Sequence, residues 1–393
     1  MKLAFVVQRY GADIAGGSEA HCRELARRLS TRHDITVLTT CARDYVTWDN
    51  AVPPGESRED GVRVMRFSVE RPRRRREFAE LTDDVIDGAT AEQETAWFHE
   101  NGPIVPALLD HLRQHGPTYD LVLFWTFRYY PSFFGLPIVA DRAILVPTAE
   151  EDPIITLGVL ESFFRLPAGY LFMTPEEETL VASRAASMLP PSATIGIGID
   201  PASPQSHART LLDQYNIPGE FLLYLGRVDR NKGCETLIEY FQDYAAQHEG
   251  LSLVLAGPAK MQIPLHPRIR SLGYVSDDLR EALLTGALAL AVPSPYESLS
   301  IVLLEAWNRG VPAVVNAFCK VLQGQVRRAD GGLYYQTSRE FTEALTYLRS
   351  HPRERAALGR SGLQFVDREY RWPTVVTKVE GLLAAVRARS VTA

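Results

Sequence analysis

Cysteine is scarce and scattered in this chain. Cys22, Cys41, Cys234 and Cys319 are its only four, and no two form a C-x-x-C pair. This excludes a zinc ribbon and a disulfide framework, and the four read as reduced thiols placed mostly in the core. Long apolar runs are missing too. The longest have strand length, and Met1 to Val7 meets Gln8 and Arg9 before a signal-peptide core can form, so neither a membrane span nor a secretory leader is expected and the chain reads as cytoplasmic. Positive charge is not in excess: 42 Lys and Arg stand against 48 Asp and Glu, and the net charge of -6 argues against a general nucleic-acid binder. No G-x-G-x-x-G occurs, which speaks against a nicotinamide dinucleotide, and no D-x-D occurs anywhere.

What is present is a globular composition, with 46% hydrophobic and 23% charged residues over 393 positions, enough for about two domains with full cores. Apolar runs of strand length alternate with amphipathic helices: Leu3–Val7, Ile35–Thr39, Arg63–Phe67, Leu121–Phe124, Ala143–Val146 and Tyr170–Met173, then Phe221–Leu225, Leu251–Ala256, Ala287–Val292 and Ala313–Val315. Between the two sets lies a segment rich in Pro, Ser and Gly, about Ala185 to Ser206, which places a domain boundary near Pro190. The pattern predicts an α/β protein of two doubly wound sheets.

The most informative stretch is PSPYESLSIVLLEAW, Pro293 to Trp307. A buried strand precedes it, Ser298 or Ser300 can cap a helix running from Ile301, and Gly310 with Pro312 stops that helix. Glu297 and Glu305 stand eight residues apart, about 12 Å at most along a helix, roughly the length of a sugar nucleotide. Backbone N–H groups at the helix start between them suit a diphosphate. Glu297 is then placed to accept hydrogen bonds from sugar hydroxyls and Glu305 from a ribose. A carboxylate such as Glu305 in so apolar a helix is costly unless paired or bound.

This stretch resembles the E-x7-E signature of retaining glycosyltransferases of the GT-B fold, family 4, also called group 1. GRVDRNKG, Gly226 to Gly233, resembles the same family's phosphate-binding G-R-x-x-x-x-K-G and supplies Arg227 and Lys232. Gly16-Gly17-Ser18-Glu19 matches a Gly-Gly-x-Glu that the family places in its cleft, and GYVSDD puts backbone near Tyr274 beside the nucleotide base. The resemblance covers nearly the whole chain and is stronger in its second half.

It implies two Rossmann-like domains facing across a cleft: residues 1–190 on the acceptor side, 191–366 binding the nucleotide sugar, and 367–393 as a helix crossing back to the first domain. It implies transfer of a sugar from a nucleoside-diphosphate sugar to a hydroxyl of a glycan, lipid-linked or small-molecule acceptor, with no cofactor. Arg227, Lys232 and Glu297 are the expected catalytic residues. Gly17, Tyr274, Ser298, Leu299, Ser300, Ile301 and Glu305 join them around the donor, and phosphate charge is met by Arg227, Lys232 and a helix start rather than by a metal. A front-face attack is implied, with the leaving phosphate helping to deprotonate the acceptor.

An aromatic cluster, one departure from the family pattern and one charge run complete the reading. Trp125, Phe127, Tyr129, Tyr130, Phe133 and Phe134 follow a strand within ten residues; most fill core, and Tyr129 or Tyr130 is the candidate to meet an acceptor. The family's histidine near the reacting sugar has no counterpart, because none lies between His115 and His207, and Glu151 within Glu150-Glu151-Asp152 is the candidate substitute. Arg71 to Arg76, RPRRRR, reads as a solvated loop or as a contact with an anionic acceptor or the inner membrane surface. Alternative chemistries on the same fold are a sugar-nucleotide epimerase or phosphorylase, and a non-catalytic sugar-nucleotide-binding protein.

Overall fold

The computed structural model describes residues 1–14, 16–204, 207–217 and 219–392. Ala15 of the glycine-rich turn, and Gln205 and Ser206 of the connection, lie outside them. The chain divides into two compact units, Met1–Gly196 with Val375–Ala393, and Ile197–Thr374.

The first unit is built on an eight-stranded sheet: β1 Lys2–Val6, β2 Asp34–Thr40, β3 Gly55–Glu59, β4 Val62–Phe67, β5 Leu121–Trp125, β6 Ala143–Val146, β7 Gly169–Phe172 and β8 Ser192–Thr194. Their order is β3-β4-β2-β1-β5-β6-β7-β8, parallel throughout except for the β3–β4 pair. Strands β1, β5, β6 and β7 are almost wholly buried, which is why they read as unbroken apolar runs instead of alternating ones. β3 was not foreseen, because it lies in a loop rich in Pro, Gly and acids and has no apolar alternation. It is held by backbone pairing with β4 and by Arg63 Nε on Glu56 Oε1 at 2.8 Å. β8 extends the first unit past Pro190, since it pairs with β7. The final helix, Trp372–Thr392, belongs to this unit from Val375 on: Glu380 Oε2 lies 2.9 Å from His33 Nε2, and Arg387 lies 3.2 Å from Asp120.

The second unit carries β9 Glu220–Leu225, β10 Leu251–Ala256, β11 Ile269–Gly273, β12 Ala289–Val292, β13 Ala313–Asn316 and β14 Gly332–Tyr335, in the order β11-β10-β9-β12-β13-β14. This all-parallel arrangement reverses direction between β9 and β12, where open α/β sheets bind ligands beyond their carboxyl ends. In the first sheet the reversal falls between β1 and β5. β12 starts two residues later than the apolar run, because Ala287 caps the helix Asp277–Gly286. Trp307 anchors the element after β12. It is fully buried, donates from Nε1 to Gly331 O at 2.7 Å, and is packed so closely by Gly331 and Gly362 that a Cβ on either would lie about 2.5 Å from the ring. Removing such a side chain typically costs about 3–5 kcal/mol.

Candidate functional site

The site of the second unit begins where β9 ends. Gly226 has φ +141 and Gly257 φ +142, and a Cβ on Gly257 would fall 1.9 Å from Gly226 O, so two glycines let the β9 and β10 exits touch. Arg227 then leaves the strand with its Nε on Asp229 Oδ2. Asp229 starts the short turn Arg230–Lys232 by accepting from the Lys232 N–H at 2.8 Å, the local bond that makes Asp a turn former. Gly233, at φ +72, has no room for a side chain, because a Cβ would meet Pro293 O at 2.3 Å. This close approach presses the β9 loop against the exit of β12. There Lys232 Nζ reaches Glu297 Oε1 at 2.8 Å, across the point where strand order reverses.

The helix after β12 starts at Ile301, one of the positions the sequence offered, and stops short of Gly310. It spans Ile301–Trp307, and Ser300 is its N-cap without a side-chain cap bond. The Ser300 N–H instead donates to the buried Gln325 Oε1 at 3.2 Å. Leu299 and Ser300 are buried, Ser298 and Ile301 are half-buried, and Tyr274 is 87% exposed.

Glu305 does not stand alone in its apolar helix. Arg280, from Asp277–Gly286, donates Nη2 to Glu305 Oε2, and Arg280 Nη1 lies 3.6 Å from Glu281. Burial pushes the Glu305 carboxyl above its ordinary range, and Arg280 opposes that shift. Glu305 borders a cavity of about 520 Å³ that is also lined by Asp200, Asp278, Glu281, Asn308 and Arg309. Two of its acids are matched by arginines, Glu305 by Arg280 and Glu281 by Arg309. Arg280 and Asp229 belong to the site without being among the candidates that the sequence offers. Asp229 carried a turn signal before Arg-Asn-Lys-Gly, but nothing local marks Arg280.

In the first unit, Gly16 is the N-cap of the helix Gly17–Leu29, and a Cβ there would lie 2.2 Å from the Glu19 carboxylate. The glycine therefore makes room for Glu19. Ser18 donates to Glu19 Oε2 at 2.9 Å and accepts from Gln8 Nε2 at 3.3 Å. Arg9 closes a buried pair on Glu19 at 2.5 Å.

Tyr130 packs inward, its ring edge-on to His99 at 5.5 Å and 4.8 Å from Phe134, and only 6% of it is exposed. It is core, which corrects its candidacy for the acceptor. Tyr129 is half-buried against Trp48 at 5.4 Å. Glu151 is exposed, whereas Asp152 turns inward to Arg128 Nη2 at 2.5 Å.

The arginine run is tied down inside its own unit. Arg71 pairs with Glu100, Arg73 donates to Asn101 O and lies over Phe78 at 4.5 Å, Arg74 meets Glu77 and Arg76 meets Glu80. Four of its five arginines thus have local partners. No helix among the described residues is long and apolar enough to cross a membrane.

Residues 212–365, which hold Arg227, Lys232, Glu297 and Glu305, match the family model of glycosyl transferases group 1. An uncharacterized glycosyltransferase of Methanocaldococcus jannaschii is 32% identical over 107 residues, which cover 25% of this chain and 27% of that protein. The match thus spans only about a quarter of that relative's length. Sucrose-phosphate synthase from Thermosynechococcus elongatus superposes with a TM-score of 0.72 at 20% identity, covering 99% of both chains. HepE of Anabaena, in complex with UDP and glucose, gives 0.71 at 14% identity over 98% of this chain and 100% of that one. A UDP-forming trehalose-phosphate synthase from Burkholderia vietnamiensis gives 0.73 at 12% identity, covering 99% and 98%. The chain is an α/β protein of two largely parallel-sheet units whose fold resembles GT-B glycosyltransferase structures, and its segment 212–365 matches the group 1 glycosyl transferases.

Proposed function

We propose that this protein is a retaining glycosyltransferase, one that moves a sugar from a nucleoside-diphosphate sugar, with UDP the favoured nucleotide, to the hydroxyl of a sugar-like acceptor. The observation that carries the reading is the Lys232–Glu297 pair at 2.8 Å, set at the strand-order reversal of the unit that matches the group 1 model. The UDP complexes of HepE, on the same fold, favour the nucleotide.

Each residue then has a role. Arg227 and Lys232 neutralise the diphosphate without a metal. Glu297, released from Lys232 when phosphate takes its place, accepts hydrogen bonds from sugar hydroxyls. Glu305 accepts from the ribose, held in orientation by Arg280. Gly17, at the start of the helix Gly17–Leu29, joins the donor set on its sequence match alone, and Tyr274 lends backbone to the base. Attack comes from the face of the leaving group: the bond from the sugar C1 to phosphate oxygen breaks, the bond from C1 to acceptor oxygen forms, and the acceptor proton passes to a phosphate oxygen. The four cysteines are free and buried, which suits the reducing cytoplasm.

Incubating the full chain with a panel of labelled nucleotide sugars and simple glycosides tests this reading. Transfer with retention of anomeric configuration is the expected result. An isomerised or phosphorolysed sugar, or binding without turnover, would overturn it in favour of an epimerase, a phosphorylase or a binding protein.

A further inference from the structure

The turn between the two glutamates is held from a helix to which neither belongs. Ser300 stands three positions after Glu297 and five before Glu305, and it is the N-cap of the helix Ile301–Trp307 without a side-chain cap bond. Its N–H donates at 3.2 Å to Oε1 of Gln325, 25 positions further on, in the helix Lys320–Ala329 that follows β13. Both ends of this bond are closed to water, since Ser300 is 3% exposed and Gln325 not at all.

This bond is one of a set. Asn316, the last residue of β13, donates Nδ2 to Pro293 O at 3.1 Å, at the other end of the same loop. Its Oδ1 accepts from the Phe318 N–H at 3.0 Å, which fixes the amide. Cys319, the N-cap of the Gln325 helix, lies beside Glu297: burial pushes its thiol up to about 11, and the Glu297 carboxylate adds to the shift. The loop that carries Glu297 is thus gripped at each end by one amide side chain from the β13 exit and the helix after it.

Gln325 brings little stability by this bond. Its Nε2 is buried with no hydrogen-bond partner among the described residues. A methionine of similar length would leave the Ser300 N–H unpaired in place of the Gln325 amide nitrogen, so one unmet buried donor is exchanged for another. What the amide changes is the loop, because without it the Ser300 N–H has no fixed acceptor.

The consequence differs for the two carboxylates. Glu305 sits in the helix anchored by Trp307, and Arg280 holds it from another side. Glu297 lies in the loop, and the Lys232 that pairs with it is the group that a diphosphate takes in the proposed reading. Once Lys232 has turned to phosphate, the place of Glu297 depends on the loop backbone.

We propose that Gln325 is a positioning residue: by accepting the Ser300 N–H it sets the backbone from which Glu297 meets the sugar, and it leaves the nucleotide contacts of Lys232 and Glu305 in place. The role rests on the transfer reading of the preceding subsection. Gln325 itself touches no ligand.

Gln325→Met and Gln325→Glu in the full chain test it, assayed with the nucleotide sugar that the wild type uses best. Gln325→Met should bind UDP in calorimetry within about threefold of wild type, which also reports that it folds, and should lower kcat by about tenfold or more. Gln325→Glu keeps an acceptor oxygen, and burial favours its neutral form, so at pH 6 its kcat should return to within about threefold of wild type at that pH. Hydrogen exchange followed by mass spectrometry gives a readout that needs no turnover: the Ser300 amide should exchange about tenfold faster or more in Gln325→Met. The proposal is overturned by an unchanged kcat or unchanged exchange in Gln325→Met, or by a Gln325→Glu no more active than Gln325→Met. A loss of UDP affinity as large as the loss of kcat overturns it too, since that is collapse of the whole site. The two readings fail separately: a wild type that transfers no sugar sinks the transferase and leaves the exchange rates to decide whether Gln325 holds the loop, whereas Gln325→Met transferring sugar as fast as wild type sinks the positioning role alone.

Discussion

Lys232 Nζ stands 2.8 Å from Glu297 Oε1, although 65 positions separate the two residues, so the cation proposed for the diphosphate and the carboxylate proposed for the sugar neutralise each other. Neither is a free charge. In the proposed reading, a diphosphate entering the site competes with Glu297 for Lys232, and the carboxylate it displaces turns to the sugar hydroxyls.

Replacing Lys232 by Ala removes a charge-assisted phosphate contact of about 1.5–3 kcal/mol and leaves Glu297 to repel the phosphate, so donor affinity should fall roughly tenfold or more. Adding Glu297→Gln to that variant should restore part of the lost affinity. Calorimetry with UDP checks both, and an unchanged Kd in Lys232→Ala would remove the phosphate role.

The two glutamates should act at opposite ends of the donor. Glu297→Gln is expected to bind UDP within about threefold of wild type, or more tightly, and to turn over at least about 100-fold more slowly, because a misplaced sugar loses the orientation that chemistry needs. Glu305→Gln should weaken UDP by about 1–3 kcal/mol. Arg280→Met should do the same as pH falls, because its loss lets burial raise the Glu305 pKa further and protonates the carboxyl at a higher pH. The reverse pattern between Glu297 and Glu305 would mean that the donor lies the other way along the helix.

The proposed mechanism meets the phosphate charge with Arg227 and Lys232 and calls for no divalent cation. Transfer should therefore survive EDTA with its rate within about twofold. Abolition by EDTA and recovery with magnesium or manganese would refute the metal-free mechanism.

Glu177 gives a pH-dependent stability. Burial pushes its carboxyl from 4.5 up to about 8, against the backbone N–H groups that favour its ionised form. The folded chain therefore binds this proton more tightly than the unfolded chain does. Stability from this group is present at low pH and is lost as pH rises from about 4.5 towards 8, at no more than about 1.4 kcal/mol per unit. Glu177→Gln should flatten the fall in Tm between pH 5 and pH 8. An equal slope in both proteins would show that other groups carry it.

Local patterns settled much of this molecule in advance. The buried parallel strands were legible as short apolar runs, since a strand covered on both faces has no polar side to display. Gly-Arg-x4-Lys-Gly and the Glu297–Glu305 spacing were legible because a loop and one helix keep sequence neighbours together in space. What lacked a local signature was missed. β3 and β11 are polar edge strands, defined by a neighbour's backbone and not by their own periodicity. The order of the sheet alone put β9 beside β12 and so joined Lys232 to Glu297. Helix packing gave Glu305 its partner Arg280, and the fold turned Asp152, rather than the exposed Glu151, towards Arg128. A residue's chemistry is written in its type, but its partner is chosen by which chain segments the fold brings within about 3 Å.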